Sequence, residues 1–217
     1  FAQGNAGAFI SVPDVAAFPR IRTFLEVQDA QGNFIRDLTA EQVSVIEDGS
    51  PRPVAALRLQ QPGVQMAVAI NPGPSFAIRN AKAISRYDLI RDALRAWALS
   101  RMGSTIDDLS LVITDGPAAS HTADPAQWLS ALMGHQADPR ASAPTLDTLF
   151  KAVNLAADPL PRPGMSRAVL FITPPPEGEL DQASLENVAA QAREQHIAIY
   201  VWLVSSSGAF GTQTAQQ

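Results

Sequence analysis

The sequence predicts an α/β protein in which a mostly parallel sheet carries helices on both faces and follows a small β-rich module. Two observations lead to this prediction. Residues 64–217 alternate continuous apolar runs, typical of parallel strands buried on both faces, with segments whose apolar residues recur at helical spacing. Residues 1–63 consist instead of short segments bounded by turn residues, which is typical of strands. We therefore expect two domains, at 1–63 and 64–217.

The first domain contains four predicted strands, at 9–12, 21–27, 43–47 and 54–59. Residues 29–33 form a turn cluster in which Gly32 can adopt positive φ. Thr39 is placed to cap a short helical turn at 38–42. Because four short strands bury little surface, we expect this module to need the next domain or further sequence for its stability.

Strands and helices alternate from residue 64 onward. The predicted strands are 66–70, 109–114, 168–173 and 197–204, and the predicted helices are 84–102, 125–133, 145–157 and 180–195. In the second helix, Asp124 occupies the N-cap, a position that aspartate favours, and Pro125 occupies the first helical position, which proline favours. This alternation predicts a Rossmann-like sheet covered by helices on both faces.

Composition excludes several functions. The net charge is −5 and no basic run occurs, which argues against binding of nucleic acid. The absence of cysteine excludes disulfides, thiolate metal sites and a cysteine nucleophile. No apolar stretch approaches the ~20 residues needed to span a bilayer. The chain begins with Phe1 rather than methionine, which is expected if a leader was removed, if the start is disordered or if the chain was trimmed. Of these we favour removal of a leader on export.

Two stretches resemble proteins of the von Willebrand factor A (VWA) family. From residue 64 to the end, the order and spacing of strands and helices resemble the VWA domain. Residues 21–59, above all 27–33 followed by 38–49, resemble the Ig-like, β-sandwich-like module that precedes such domains in exported bacterial proteins. The resemblance implies a VWA fold and a location outside the cytoplasm, whether secreted, periplasmic or on the cell surface. It is compatible with a membrane anchor in sequence outside this segment.

The resemblance also implies positions for a metal site. In the family, an Asp-x-Ser-x-Ser loop after the first core strand, a Thr before a later helix and an Asp after the next strand together hold Mg²⁺ or Mn²⁺. These positions fall on Asn71, Gly73, Ser75, Thr145 and Pro174. Both carboxylates are replaced and two hydroxyls remain. Because Mg²⁺ demands near-octahedral oxygen ligation anchored by carboxylates, we expect a degenerate site with no metal and no cofactor.

Two other carboxylates are the nearest substitutes for those that are missing. Asp115 ends the strand expected beside the first core strand, although Asp115-Gly116 is also typical of a turn. Asp147 falls in the first turn of a predicted helix, where its charge stabilises the helix dipole. A carboxylate that points into the crevice would favour a metal-dependent VWA adhesin, which is the first alternative function.

Ser75 raises a second alternative, a serine hydrolase. It lies between a buried strand and a helix, as the nucleophile of a hydrolase elbow does, and His196 is its candidate base. However, Pro72 and Pro74 restrict the loop, and the second glycine position of the elbow is Ala77. No acid is evidently placed to complete a triad, so we expect no enzymatic activity. His121 and His135 show no metal-ligand spacing and are interpreted as surface or strand-edge residues.

The rim of the predicted crevice is rich in proline. The residues expected to meet a partner are Pro72, Pro74, Asp115, Pro174 and Pro175, with further prolines at 117, 144 and 176. Open α/β sheets bind ligands at the carboxyl ends of their strands, and prolines lower the entropy cost of ordering a loop. We expect a non-enzymatic protein-interaction or structural module of a cell-envelope protein, with a protein partner such as the subunits of an envelope assembly. The alternative is that these prolines only order the loops.

VWA domains carry a final helix and edge strand after the strand predicted at 197–204. Residues 205–217 are instead rich in Ser, Gly, Thr and Gln. We therefore expect the VWA domain in this chain to lack its last helix and strand.

Overall fold

The computed structural model describes residues 7–175, 181–204 and 211–213. The chain divides into two compact units, one formed by Phe1–Pro62 with Arg162–Gly164 and the other by Gly63–Pro161 with Met165–Gln217. Within the described residues, no helix is both long enough and apolar enough to cross a membrane.

The first unit contains two antiparallel pairs of short strands. β1 (Gly7–Ile10) pairs with β2 (Leu25–Gln28), and β3 (Val45–Glu47) pairs with β4 (Ser50–Arg52). The two pairs are separate sheets, and none of residues 7–62 is buried. The Ig-like, sandwich-like arrangement of this unit therefore stays a prediction.

The predicted strand at 54–59 is wrong, because the partner of β3 is β4, which lies closer in the chain. The reason is the turn between them. Asp48 and Gly49 have φ values of 49° and 78°, the positive values that a two-residue type I′ hairpin turn requires. The chain therefore reverses at once, and Ser50 lies opposite Glu47.

The predicted turn and helical turn of this unit are both confirmed. Within residues 29–33, the Asp29 carboxylate accepts backbone N–H groups at 2.8 and 2.9 Å. Thr39 precedes a 3₁₀ helix, Ala40–Gln42, and its backbone N–H donates to Oε1 of Gln42 at 2.8 Å. Both contacts satisfy backbone or side-chain groups that a free loop would leave to water.

The second unit is built on a six-stranded sheet. In chain order its strands are β5 (Val64–Ile70), β6 (Asp108–Ile113), β7 (Gly116–Thr122), β8 (Ser166–Thr173), β9 (Ile197–Leu203) and β10 (Gly211–Gln213). The spatial order is β10-β9-β8-β5-β6-β7. The four central strands are parallel, and β7 and β10 are antiparallel edges. The predicted mostly parallel α/β sheet is confirmed.

Neither edge strand is predicted by the sequence. β7 contains glycine, proline, serine and histidine and lacks an apolar alternation, as an edge strand can because one of its sides needs no partner. It pairs with β6 directly after a tight turn that sets Gly116 opposite Ile113. The expected lack of a final helix and strand concerns residues 205–217, and of these the structure describes β10 alone, paired with β9 from Gly211 opposite Leu203.

Among the described residues, four α-helices cover the sheet: α1 (Arg86–Leu99), α2 (Pro125–Gly134), α3 (Asp147–Ala156) and α4 (Gln182–Glu194). The side chains of α1 and α2 pack into one apolar cluster, and those of α3 and α4 pack into a second. Alternate residues of β5 divide between the two clusters, with Val68 and Ile70 in the first and Ala67 and Ala69 in the second. Because successive strand residues point to opposite faces, the helices lie on both faces, as predicted.

Helix ends differ from the predicted ones where side chains cap them. Ser85 caps α1, since its hydroxyl accepts the N–H of Asp88 at 3.1 Å. α3 begins at Asp147 rather than at Thr145, because Oγ1 of Thr145 accepts the N–H of Asp147 at 3.3 Å from outside the helix. Asp181 caps α4 by accepting the N–H of Ala183 at 3.1 Å. The predicted start at residue 180 lies outside the described residues.

The strand order creates one reversal point in the sheet. From β5 the chain passes through α1 to β6 on one side, and later returns to β8 on the other side of β5. The loops after β5 and β8 therefore leave in opposite directions, which opens a crevice between their carboxyl ends in folds of this kind. This is where the sequence places its candidate site.

Candidate functional site

Asn71, the residue directly after β5, joins three segments at this crevice. Its backbone N–H donates to the carbonyl oxygen of Ile172 at 2.9 Å. Its side-chain nitrogen donates to Oγ1 of Thr173 at 3.0 Å, and its side-chain oxygen accepts the N–H of Thr145 at 3.2 Å. Asn71 is 4% exposed. Both polar atoms of its side chain are thus engaged inside the protein.

Proline rings fill the space beside Gly73. A Cβ atom at this position would lie 3.0 Å from Cγ of Pro174 and 3.2 Å from Cδ and Cγ of Pro144. Gly73 and Pro174 are themselves buried. A serine side chain would have no room here unless the rings moved. Apolar carbon therefore occupies the place where the resemblance puts the first serine of a metal site.

The structure brings together Asn71, Gly73, Thr145 and Pro174, four of the five positions that the resemblance implies. None of these four residues has a carboxylate, so they offer no charged ligand oxygen. The Asn71 amide is also engaged, and the Thr145 hydroxyl accepts the Asp147 N–H. Among the described residues, no group of three or more His, Cys, Asp or Glu side chains is arranged to hold a metal ion.

The two substitute carboxylates, Asp115 and Asp147, lie where their local sequence favours them, in a turn and in the first turn of a helix. Asp115 is exposed in the turn between β6 and β7. Asp147 is exposed in the first turn of α3. The charge of Asp115 acts on His135, where burial lowers the pKa of the imidazole and the Asp115 charge opposes that shift.

Ser75 has no base beside it. Its hydroxyl is buried and has no hydrogen-bond partner among the described residues. Ser75 lies in a 3₁₀ helix, Pro74–Ala77, and Arg86 contacts its backbone carbonyl rather than its side chain, at 3.4 Å. The arrangement lacks the nucleophile–base contact that a hydrolase needs.

The predicted rim residues divide by exposure. Pro72 and Pro174 are buried, whereas Pro74, Asp115 and Pro175 are exposed. A partner can contact only the exposed three directly. The buried two act on the rim by packing beneath it. Pro176 lies outside the described residues.

A second polar cluster, missed by the sequence analysis, lies at the opposite end of the sheet. Nδ1 of His121, near the end of β7, lies 2.7 Å from Oδ2 of Asp108 at the start of β6. Nε2 of the same ring lies 3.0 Å from Oδ2 of Asp158, in the loop after α3. The backbone N–H of His121 donates to Oγ of Ser110 at 3.0 Å. The imidazole therefore bridges two carboxylates from separate segments.

This position changes the ionisation of His121. Burial by itself lowers the pKa of the imidazole, but the hydrogen bonds and charges of Asp108 and Asp158 outweigh burial and raise the pKa above its ordinary value. The only indication in the sequence was Asp108, a charged residue at the edge of an apolar strand. In the structure Asp108 is 4% exposed, and a buried carboxylate requires a partner. No local spacing pointed to His121 as that partner.

No family model and no curated protein matches the sequence. Among solved structures, the chain is similar to the conserved hypothetical protein BatB from Bacteroides thetaiotaomicron, at 17% identity over 70% of this chain and 75% of that one, with a TM-score of 0.47. It is also similar to an aerotolerance-related membrane protein from Bacteroides fragilis with multiple mutations to serines, at 19% identity over 70% of this chain and 76% of that one, with a TM-score of 0.48. Likenesses of this size assign no residue role and no activity to this chain.

Proposed function

We propose that this chain is a non-enzymatic protein-interaction module of the VWA type that binds its partner without a divalent metal. The closed crevice carries this proposal: the Asn71 side chain is engaged with Thr145, and the rings of Pro144 and Pro174 pack beside Gly73. A hard cation that gives up water needs anionic oxygen ligands in return. Amide groups and ring carbons do not offset that cost.

The exposed rim supplies the binding surface in this proposal. Pro74 follows β5 and Pro175 follows β8, two neighbouring strands of the sheet, and both side chains are exposed. Because proline has a fixed φ, such loops lose little conformational entropy when a partner docks. A stiff, weakly charged rim is suited to a protein surface rather than to a small substrate.

The orphaned hydroxyl of Ser75 supports the non-enzymatic part of the proposal. A fluorophosphonate probe that labels activated serines tests it directly. We expect no labelling of the full chain above that of a Ser75→Ala variant. Labelling that disappears in Ser75→Ala would establish a reactive serine and overturn this part.

We also infer that the module works outside the cytoplasm, within an envelope assembly. The support is the resemblance of residues 21–59 to modules of exported proteins, together with a charged fraction of only 17%, below the roughly 25% of typical soluble domains. Protease treatment of native cells tests the location when the outer layer of the envelope is permeabilised and the cytoplasmic membrane stays intact, since an extracytoplasmic module is then cleaved while a cytoplasmic marker protein is spared. Protection of the module in these cells would contradict the inference.

Site-specific photo-crosslinking tests the proposed interaction. A photoreactive amino acid replaces the exposed Pro175 at the rim, and the matched control carries it at Glu194, exposed at the far end of α4. We expect a discrete crosslinked partner from position 175 and none from position 194. The crosslink should persist in EDTA. Loss of the crosslink in EDTA with recovery in Mg²⁺ would show that a metal is required after all.

A further inference from the structure

A cleft of about 430 Å³ lies beside α1 in the second unit. Three arginines line it, Arg79, Arg91 and Arg140, and we call it the arginine cleft. Ala77 also lines it and ends the 3₁₀ helix that follows the closed crevice. The arginine cleft and the crevice therefore share one segment, the loop and 3₁₀ helix that follow β5.

The three arginines form no close ion pair among the described residues, although the charges of Arg91 and Arg79 contribute to lowering the pKa of Asp88. Nε of Arg91 is buried without a hydrogen-bond partner, and its guanidinium lies 6.0 Å from the centre of the Tyr87 ring. Arg79 donates to the carbonyl oxygen of Ala83. In a chain of net charge −5, three guanidinium groups around one cleft form a local cationic site.

Two carboxylates in the cleft already accept hydrogen bonds from neighbouring residues of the chain. Oδ2 of Asp88 accepts the N–H of Ser85 at 3.0 Å and its hydroxyl at 2.6 Å, which caps α1. Oδ1 of Asp138 accepts the N–H of Arg140 at 3.1 Å. Both carboxylates therefore have structural roles. They reduce the formal charge of the cleft to +1, from three arginines and two aspartates.

Tyr87 provides a second, independent sign of a ligand. The residue is 6% exposed, it lines the arginine cleft, and its hydroxyl makes no hydrogen bond of normal geometry. The backbone N–H of Ala137 acts on this hydroxyl as a donor, which lowers the pKa of Tyr87, and an N–H cannot accept the hydroxyl proton. The hydroxyl proton thus has no acceptor within the part of the chain that the structure describes, and burial raises the pKa of Tyr87 and keeps that proton bound. A buried donor without an acceptor is costly unless a ligand supplies one.

We infer that the arginine cleft binds a carboxylate side chain, Asp or Glu, from an extended acidic segment of the partner protein. Arg91 and Arg140 pair with the carboxylate, and the Tyr87 hydroxyl donates to one of its oxygens. Guanidinium–carboxylate pairs are strong and directional. A monoanion matches the formal charge of +1, and Asp88 and Asp138 repel a single carboxylate less strongly than they repel a phosphate dianion. The inference rests on the proposed function and names the chemistry of its partner.

Fluorescence polarisation on the full chain tests the inference with a fluorescein-labelled peptide of alternating Gly and Glu at 50 mM NaCl. The control peptide has Gln in place of Glu. We expect binding of the Glu peptide alone, weakened about tenfold or more by the double substitution Arg91→Gln and Arg140→Gln. Tyr87→Phe should weaken it several-fold. Arg95→Gln is the matched control, because Arg95 is exposed on the same helix and does not line the cleft.

Equal binding by the Arg95→Gln variant and the double variant would overturn the inference, as would inorganic phosphate that competes for the site at lower concentration than glutamate. Should the double variant not fold, the amide NMR signal of Ala137 in the unmodified chain gives the answer. It must shift when the Glu peptide is added and stay in place with the Gln peptide. If the Pro175 crosslink persists in EDTA while the Glu peptide fails to bind, only the carboxylate inference is lost. If the crosslink itself requires Mg²⁺, the proposed function is lost instead.

Discussion

The side-chain oxygen of Asn71 accepts the backbone N–H of Thr145 at 3.2 Å, which joins the loop after β5 to the residues that precede α3. Substitution Asn71→Ala leaves the Thr145 N–H and the hydroxyl of the buried Thr173 without this partner. We expect a loss of about 1–3 kcal/mol in the free energy of unfolding. Urea denaturation measures it. Asn187→Ala, at an exposed position of α4, is the control and should stay within about 0.5 kcal/mol of the unmodified chain.

Gly73→Ala tests whether proline rings close the crevice. The φ of Gly73 is −149°, which any residue adopts, so the only cost is the contact of the new Cβ with Pro174 and Pro144 at 3.0 and 3.2 Å. Overpacking of this kind costs about 1–3 kcal/mol. Gly134→Ala is the control, since a Cβ there meets nothing within 4 Å at the end of α2, and it should be neutral or stabilising by up to about 1 kcal/mol. Thermal melts of both variants measure the difference. An equal Tm for Gly73→Ala and Gly134→Ala would mean that the crevice has room for a side chain at position 73.

Divalent metal should not stabilise the natural chain. A ligand raises the Tm only if it binds the native state, so millimolar Mg²⁺ or Mn²⁺ should leave the Tm unchanged by differential scanning fluorimetry. The combined substitutions Asn71→Asp, Gly73→Ser and Pro174→Asp should create a weak divalent site. Removal of the Pro174 ring also relieves the contact that a side chain at position 73 would make at 3.0 Å. An Mg²⁺-dependent rise in Tm of the natural chain, reversed by EDTA, would contradict the expectation.

Stability should depend on pH through His121. Asp108 and Asp158 raise the pKa of its imidazole in the folded protein. The stabilisation is therefore fully present below the unfolded pKa of about 6.5 and is lost as the pH rises through the folded value. His121→Asn removes the titration and suits the φ of 49° at this position, since Asn is tolerated there.

The Tm of the unmodified chain minus that of His121→Asn should accordingly decrease from pH 5.5 to pH 8.5. This difference cancels the contribution of His135, whose pKa is lowered by burial and which therefore destabilises the fold as the pH falls. A difference in Tm that is constant across this range would show that the bridge does not titrate as a unit.

Residues 1–63 expressed alone should not fold. None of residues 7–62 is buried, and large apolar side chains such as Val12 (91% exposed) and Phe18 (78% exposed) have no core to join. Two separate strand pairs do not bury enough apolar area to offset the chain entropy. Circular dichroism during heating should show no cooperative transition, whereas the full chain should show one. A sharp transition of the isolated fragment would refute the prediction.

The sequence by itself determined the α/β class and the four central strands. Strands buried on both faces must be continuous apolar runs, so β5, β6, β8 and β9 are visible without any neighbour. That Asn71 and Pro174 carry no carboxylate is likewise a matter of residue identity. The edge strand β7 was not visible, because a strand with only one paired side needs neither apolar alternation nor length.

Only the tertiary structure decided how the crevice is closed, what His121 contacts and where the arginine cleft lies. Pro144 and Pro174 meet beside Gly73 because two loops return to the reversal point of the sheet. Nε2 of His121 contacts the carboxylate of Asp158 at the amino ends of the parallel strands. The spacing of apolar residues indicates which face of a helix or strand is buried, because each helix or strand must cover its own apolar face. Contacts between distant segments depend on the order in which the strands assemble, and no local pattern of residues records that order.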